Sequence, residues 1–275
     1  MLQKQLTKDP LAEKKHEVLP QLIHKYHNRV LCLLTTECHA HCSFCFRRNL
    51  HQTQNKKNPI NLETIIQYVK KNPSINEFIF SGGEPLLEGQ LLEQAVFELE
   101  KIKHLKVLRI HSRLPIINPQ IMPWKNLEKI AQTSHNPLYF VIHVNRYEEL
   151  TQANVKKTIE KLRALGFILL SHTVFLKNIN DNLNALRKLF NKLVELGVKP
   201  YYIFHCDNMQ HTKQFVVDLE KERALMSQLR QVVSGLAFPL HVIDSENGKI
   251  PIPNNSWQCR LNYFTDFDGK KISAI

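Results

Sequence analysis

Cys38, Cys42 and Cys45 stand at the spacing C-x3-C-x2-C. Three thiolates so close together can each bind one iron of a [4Fe–4S] cluster, which leaves the fourth iron to a ligand that is not protein. A structural zinc ion is an alternative. It takes four thiolate or imidazole ligands, and His39 or His41 could complete such a set. A group of inert buried thiols is a third reading. A second candidate motif is Ser81-Gly82-Gly83-Glu84. Paired glycines let backbone approach a ligand closely and expose its amides and carbonyls, although the same four residues also make a plain βα turn.

Each motif follows a short apolar run. Residues 30–35 and 77–80 read as strands, so both motifs lie at strand C-termini, where βα enzymes carry their chemistry. The alternation continues. Further strands are predicted at 107–110, 138–144, 167–175 and 200–205. Helices are predicted at 62–71, 88–103, 124–132, 154–165, 181–196 and 218–234, the first capped by Asn61 and the fourth and fifth stopped by Gly166 and Gly197. Six such units with right-handed crossovers predict an α/β fold, an open partial (βα)6 TIM-type barrel; a doubly wound sheet is the alternative. Residues 240–244 and 260–266, with a turn at Asp268-Gly269, add a C-terminal β extension. The predicted organisation is a charged, partly helical lead-in over 1–22, the barrel over 23–237, beginning with a mostly polar segment at 23–29, and the extension over 238–275.

The chain has 275 residues, 43% hydrophobic and 23% charged, as expected of one large globular domain. No apolar run approaches ~18 residues and the N-terminus has no apolar signal core, so a cytoplasmic protein without a membrane span is expected. Cys32, Cys206 and Cys259 are scattered, which fits a reducing compartment rather than a disulfide framework. The net charge of +12 would suit nucleic acid, a polyanionic substrate or an acidic protein partner. The lysines, however, come in isolated pairs, which favours a solvated surface over a nucleic-acid stripe.

With Phe44 before its third cysteine, and with the Gly-Gly-Glu turn, the sequence resembles the radical S-adenosylmethionine (SAM) superfamily. The resemblance implies a [4Fe–4S] cluster on Cys38, Cys42 and Cys45 whose open iron binds SAM. One electron then cleaves the sulfonium to a 5′-deoxyadenosyl radical. It also implies SAM contacts from Phe44, Ser81, Gly82, Gly83 and Glu84. Further segments narrow it: Lys25-Tyr26-x-x-Arg29-Val30, Cys45-Phe46-Arg47-Arg48, Arg109 to Pro115, His143-Val144-Asn145, Asn180-Asp181, Pro200-Tyr201-Tyr202 and Gly248-Lys249-x-Pro251. In this order they resemble the lysine 2,3-aminomutase family, including the branch that serves translation elongation factor P. The likeness runs from about His24 to the end of the chain.

That resemblance implies pyridoxal 5′-phosphate (PLP) as a further cofactor, with Lys249 as the Schiff-base lysine. Lys25, Tyr26, Arg29 and Arg113 would lie near PLP. His143, Asn145 and His172 would lie near SAM. Arg47 would clamp the substrate α-carboxylate, a task that suits a guanidinium fork, and Asp207 and Asp244 would take the side-chain ammonium. The implied substrate is lysine or a lysine-derived unit, with a flavodoxin or ferredoxin as electron donor and a link to the elongation factor P pathway. Several positions depart from the family pattern: Lys25 for arginine, Glu84 for aspartate, His172 for glutamine, Lys177-Asn178 for Arg-Gly, and a shorter stretch before Cys38 that lacks the expected N-terminal helical region. Two rival readings are a radical SAM enzyme without PLP and a basic binding protein with a structural iron–sulfur or zinc site.

Overall fold

Period-two alternation along successive strands gives the sheet one apolar face and one mixed face. A computed structural model describes residues 8–48 and 60–253, together with the backbone of two further strands, Tyr263–Thr265 and Lys271–Ser273. Ten strands form one sheet in chain order: β1 (Glu17–Leu19), β2 (Leu22–Tyr26), β3 (Arg29–Thr35), β4 (Glu77–Gly82), β5 (Val107–Ser112), β6 (Leu138–His143), β7 (Ile168–Val174), β8 (Lys199–Phe204), β9 (Leu240–Ser245) and β10 (Gly248–Pro251). From β3 to β9 every neighbouring pair is parallel; β1–β2, β2–β3 and β9–β10 are antiparallel. Side chains such as Cys32, Phe78, Phe80, Ile110, Phe140 and Ile203 are buried in the main hydrophobic core, which also takes in the helices. The alternate positions, among them Leu31, Ile79, His111, His143, His172 and Phe204, line a cavity instead.

Six of the helices fall where the sequence places them, and a single turn at Leu114–Ile117, in a proline-rich connection, is an addition. α1 (Leu62–Lys71) buries Ile65, Ile66 and Val69, and the Asn61 side chain accepts from Thr64 N at 3.0 Å; such a cap contributes about 1 kcal/mol. α2 (Gly89–Leu99), α3 (Leu114–Ile117), α4 (Trp124–Thr133), α5 (Ala153–Ala164), α6 (Leu183–Glu195) and α7 (Leu219–Val232) follow. Gly166 and Gly197, just beyond α5 and α6, have φ of +88° and +76°, the left-handed conformation of a C′ glycine. Among the described residues no helix is long and apolar enough to cross a membrane.

Three expectations change. The mostly polar segment at 23–29 belongs to a β-hairpin: β2 pairs with β3, and His27 and Asn28 make the turn. The polar residues that hid this strand include Lys25, which faces the cavity, and His24, which bonds the Tyr68 hydroxyl. Residues 240–245 are a seventh parallel strand, and their hairpin partner is β10. The strand within 260–266 pairs with Lys271–Ser273 in a separate two-stranded sheet; the expected turn at Asp268-Gly269 lies outside the described residues, as does Cys259. Finally, the lead-in is built into the molecule. Residues 13–16 form a 3-10 turn, β1 joins the sheet, and Leu11 and Glu13 are buried.

Among the described residues the sheet does not close by a backbone ladder, and side chains bridge its seam. Lys25 on β2 donates to Leu11 O at 3.3 Å and to Ser245 O on β9. Lys249 N on β10 donates to the Tyr26 hydroxyl at 2.9 Å. His16 Nε2 lies 3.1 Å from Glu246 O. An open barrel is thereby drawn round a cavity of about 300 Å³.

Candidate active site

The cysteine loop leaves β3 and the glycine turn leaves β4, and the two are packed backbone to backbone. Gly83 N donates to Thr35 O and Glu84 N to Glu37 O, both at 2.7 Å. Gly82 has φ +116°, and a Cβ there would stand 2.4 Å from Thr35 O; one on Gly83 would stand 2.0 Å from Glu37 O. The glycines are therefore required by the approach of the chain's own cysteine loop. Glu84 is spent on the same task. Its buried carboxylate accepts from Ser112 Oγ at 2.8 Å and from the amides of Leu86, Arg113 and Leu114 at 3.0–3.2 Å. It ties the β4 exit to the start of α3, and burial raises its pKa despite these donors.

Cys38, Cys42 and Cys45 are free thiols on the cavity rim. Burial pushes Cys38 up to about 12 and also raises Cys45, so a metal must displace their protons to bind. Arg113 Nη1 donates to Cys42 Sγ at 2.9 Å, while its Nη2 pairs with Glu149 at 2.6 Å. Phe44 stacks obliquely on His143, ring centroids 5.3 Å apart, with the Arg113 guanidinium on its other contact at 5.0 Å. Among the described residues no three His, Cys, Asp or Glu side chains converge as on a single metal ion. A cubane is a larger body that takes one thiolate on each of three irons, and three free cysteines on one loop fit that donor set.

Deeper in the barrel lies a group of unsatisfied polar atoms. His111 Nε2, His143 Nε2 and His172 Nε2 are buried on the cavity wall without partners, and so is Asn145 Nδ2, which does not line the cavity. Burial lowers all three histidines, His143 to about 3, so their rings are neutral at physiological pH. His172 packs among His111, Tyr201, Tyr202 and Phe204, with ring centroids 5.1–5.8 Å away. Buried polar atoms normally find partners, and donors and acceptors left waiting round a cavity fit a polar ligand such as SAM.

Lys249 stands at the seam, with Nζ 2.7 Å from Asp244 Oδ2. Burial opposes its charge, but Asp244 and Tyr26 outweigh that and raise its pKa. Lys25 next to it is lowered, chiefly by burial. The Arg29 guanidinium lies 3.6 Å from the centroid of the Tyr26 ring. An amine among the donors of Lys25, Tyr26 and Arg29 fits an aldehyde cofactor that carries a phosphate. Arg47 is buried and bonded to Glu13 and Ser81, and Asp207 lines the same cavity.

Of the residues that the sequence suggests for the cluster, the cofactors or the substrate, all but Asn145 line this one cavity. Two stand differently from the expectation. Arg113, expected near PLP, directs its guanidinium to Cys42 and Glu149. Asp244, expected to receive the substrate ammonium, holds Lys249. The structure adds Glu13, His111, which the sequence names only within its Arg109–Pro115 segment, and a buried cluster behind the β8 exit, in which Glu222 accepts from His205 Nδ1 at 3.0 Å and His241 Nε2 at 2.9 Å. Period two along β5 could have found His111, two residues from Arg109 on the same face; nothing in the sequence pointed to Glu13.

The Radical SAM superfamily profile matches residues 32–190. The L-lysine 2,3-aminomutase of Buchnera aphidicola subsp. Baizongia pistaciae is 38% identical over 250 residues, 90% of this chain and 73% of that protein. That of Escherichia coli K12 is 38% identical over 247 residues, 89% and 71% respectively. Among solved structures, a radical SAM methyltransferase from Sphaerobacter thermophilus superposes with a TM-score of 0.55 at 12% identity, over 83% of this chain and 72% of that one. Spore photoproduct lyase does so with 0.55 at 14% identity, over 77% and 74%; at such identities these two share the fold alone. The chain therefore belongs to the radical SAM superfamily and, within it, to the lysine 2,3-aminomutase family of isomerases.

Proposed function

We propose that this protein moves the α-amino group of an L-lysine unit to its β-carbon, with SAM and PLP as cofactors, in the cytoplasm. The lysine is free lysine or that destined for elongation factor P, and the electron comes from a flavodoxin or ferredoxin. The observation that carries this reading is the position of Lys249: a half-buried amine in the cavity whose rim carries the three cysteines, beside Lys25, Tyr26 and Arg29. When bound, the cluster and SAM would supply a carbon radical, and PLP would supply the imine that the migrating nitrogen needs.

The chain's own residues bind and orient. Cys38, Cys42 and Cys45 would hold the cluster, with Arg113 beside Cys42. His143 and His172 would offer their unpartnered Nε2 atoms to SAM, with Asn145 next to His143. Tyr26 fixes the Lys249 backbone and Asp244 keeps the amine protonated until a partner replaces it. Once Lys249 is engaged elsewhere, Asp244 becomes available, with Asp207, for a substrate ammonium. Arg47 would meet the substrate carboxylate.

Borohydride trapping tests the reading. Protein reconstituted without oxygen is incubated with PLP, reduced, digested and mapped by mass spectrometry. A phosphopyridoxyl adduct concentrated at Lys249 is expected. A spread over surface lysines, in protein that still cleaves SAM, would leave a radical SAM enzyme without PLP.

A further inference from the structure

Arg47 is held on one edge before any substrate arrives. Its Nε donates to Glu13 Oε2 at 2.8 Å and its Nη2 to Glu13 Oε1 at 2.6 Å, while Nη1 donates to Ser81 Oγ at 3.2 Å. A guanidinium has five N–H donors. Three are engaged within the chain, which leaves one on each Nη. Both Arg47 and Glu13 are buried, both line the cavity, and the Phe46 ring lies 4.6 Å from the guanidinium carbon.

Glu13 is not carried on a loose strap. Asp9 Oδ1 and Oδ2 accept from Glu13 N and Lys14 N at 3.0 and 3.1 Å. Ala12, at φ +49°, turns the chain inward just before Glu13; a non-glycine residue holds that conformation only when its surroundings enforce it. Leu11 is 6% exposed, and its carbonyl accepts from Lys25 Nζ at 3.3 Å. The segment is thus a fixed wall of the cavity. A carboxylate fixed there sets the angle of Arg47, whereas one on a removable segment would compete with an incoming carboxylate.

We propose that Glu13 is a positioning residue: by occupying the Nε–Nη2 edge of Arg47 it presents the Nη1–Nη2 edge to the α-carboxylate of an amino-acid substrate. The inference rests on the reading of Arg47 as the carboxylate clamp. It assigns the N-terminal segment a part in substrate selection. It also accounts for the buried Glu13 carboxylate, which would be costly to bury without such a bidentate partner.

The test is calorimetric binding of L-lysine and L-lysinamide, which lacks the carboxylate, to anaerobic protein loaded with cluster, SAM and PLP. The native protein is expected to prefer lysine, and Arg47→Met to abolish that preference. Glu13→Gln is expected to weaken lysine on the order of tenfold to a hundredfold, the cost of a misplaced clamp, and to leave lysinamide unchanged. A general loss of structure would weaken both. Unchanged lysine affinity in Glu13→Gln would overturn the proposal, and so would tighter binding, which would make Glu13 a competitor for the guanidinium. Should that variant not fold, Glu13→Asp carries the test: it keeps the charge but shortens the reach, an intermediate loss is expected, and a native Kd would refute the assignment. If Arg47→Met retains the preference for lysine, the clamp reading fails, and the role of Glu13 with it.

Discussion

Lys249 and Asp244 define the resting state of the site. Their ion pair, with Tyr26 close by, holds the amine above the ordinary lysine value, so Lys249 is protonated at neutral pH and is a poor nucleophile. The sign follows for stability as well. The pair's contribution is fully present below the unfolded lysine value and is lost as the pH rises through the raised one. Trapping of PLP at Lys249 should accordingly rise about tenfold per pH unit between pH 7 and 9, as the neutral amine becomes available. Asp244→Asn removes the main cause of the shift and should speed trapping at pH 7; a slower rate measured by stopped-flow absorbance would contradict the account. From position alone Lys249 reads as a surface lysine, and only the family resemblance singled it out. The reason is physical, since its place in the cavity comes from a seam between β2 and β10, more than 200 residues apart in the chain.

At the scale of elements, the alternation of strand and helix was legible because the outward face of each strand is apolar and each helix buries one stripe. The β2 strand was missed because its side chains serve the cavity and the seam, so alternation of hydrophobicity is lost there. The glycine turn was read as a surface for a ligand, and its first contact proves to be the cysteine loop. Gly83→Ala should therefore disturb that loop, costing about 1–3 kcal/mol locally, and should lower the iron bound per chain after reconstitution while the far-UV dichroism stays native. Full iron loading would show that the loop does not depend on this contact. The Glu222 cluster joins α7 to β8 and β9 at the exit that carries Asp207. Breaking it with Glu222→Gln should cost about 1–3 kcal/mol in denaturant unfolding, the worth of hydrogen bonds to a buried carboxylate, whereas the triple variant Glu222→Leu, His205→Val, His241→Leu should be near neutral, as for a buried polar network replaced by packed apolar residues. Equal losses in both would indicate that the polar cluster itself, rather than its burial, supports the fold.

The whole molecule is an open barrel with side chains across its gap, and that arrangement brings residues from both ends of the chain to one cavity. Cysteines follow β3, neutral histidines line β5, β6 and β7, Lys249 arrives on β10, and Glu13 comes from the segment before β1. Spacing alone exposed the cysteines because their chemistry is local. The clamp of Glu13 on Arg47 and the pairing of Lys249 with Tyr26 are contacts between distant segments, which no local pattern records. The central claim is that this one cavity joins SAM cleavage to amino transfer on lysine. Its most direct test is anaerobic incubation of the reconstituted protein with L-lysine, SAM, PLP and a reductant, followed by chromatography and mass spectrometry of the amino acids. The account predicts β-lysine, formed only when both SAM and PLP are present and lost in Lys249→Ala. Release of 5′-deoxyadenosine without β-lysine, or β-lysine formed equally well by Lys249→Ala, would contradict it.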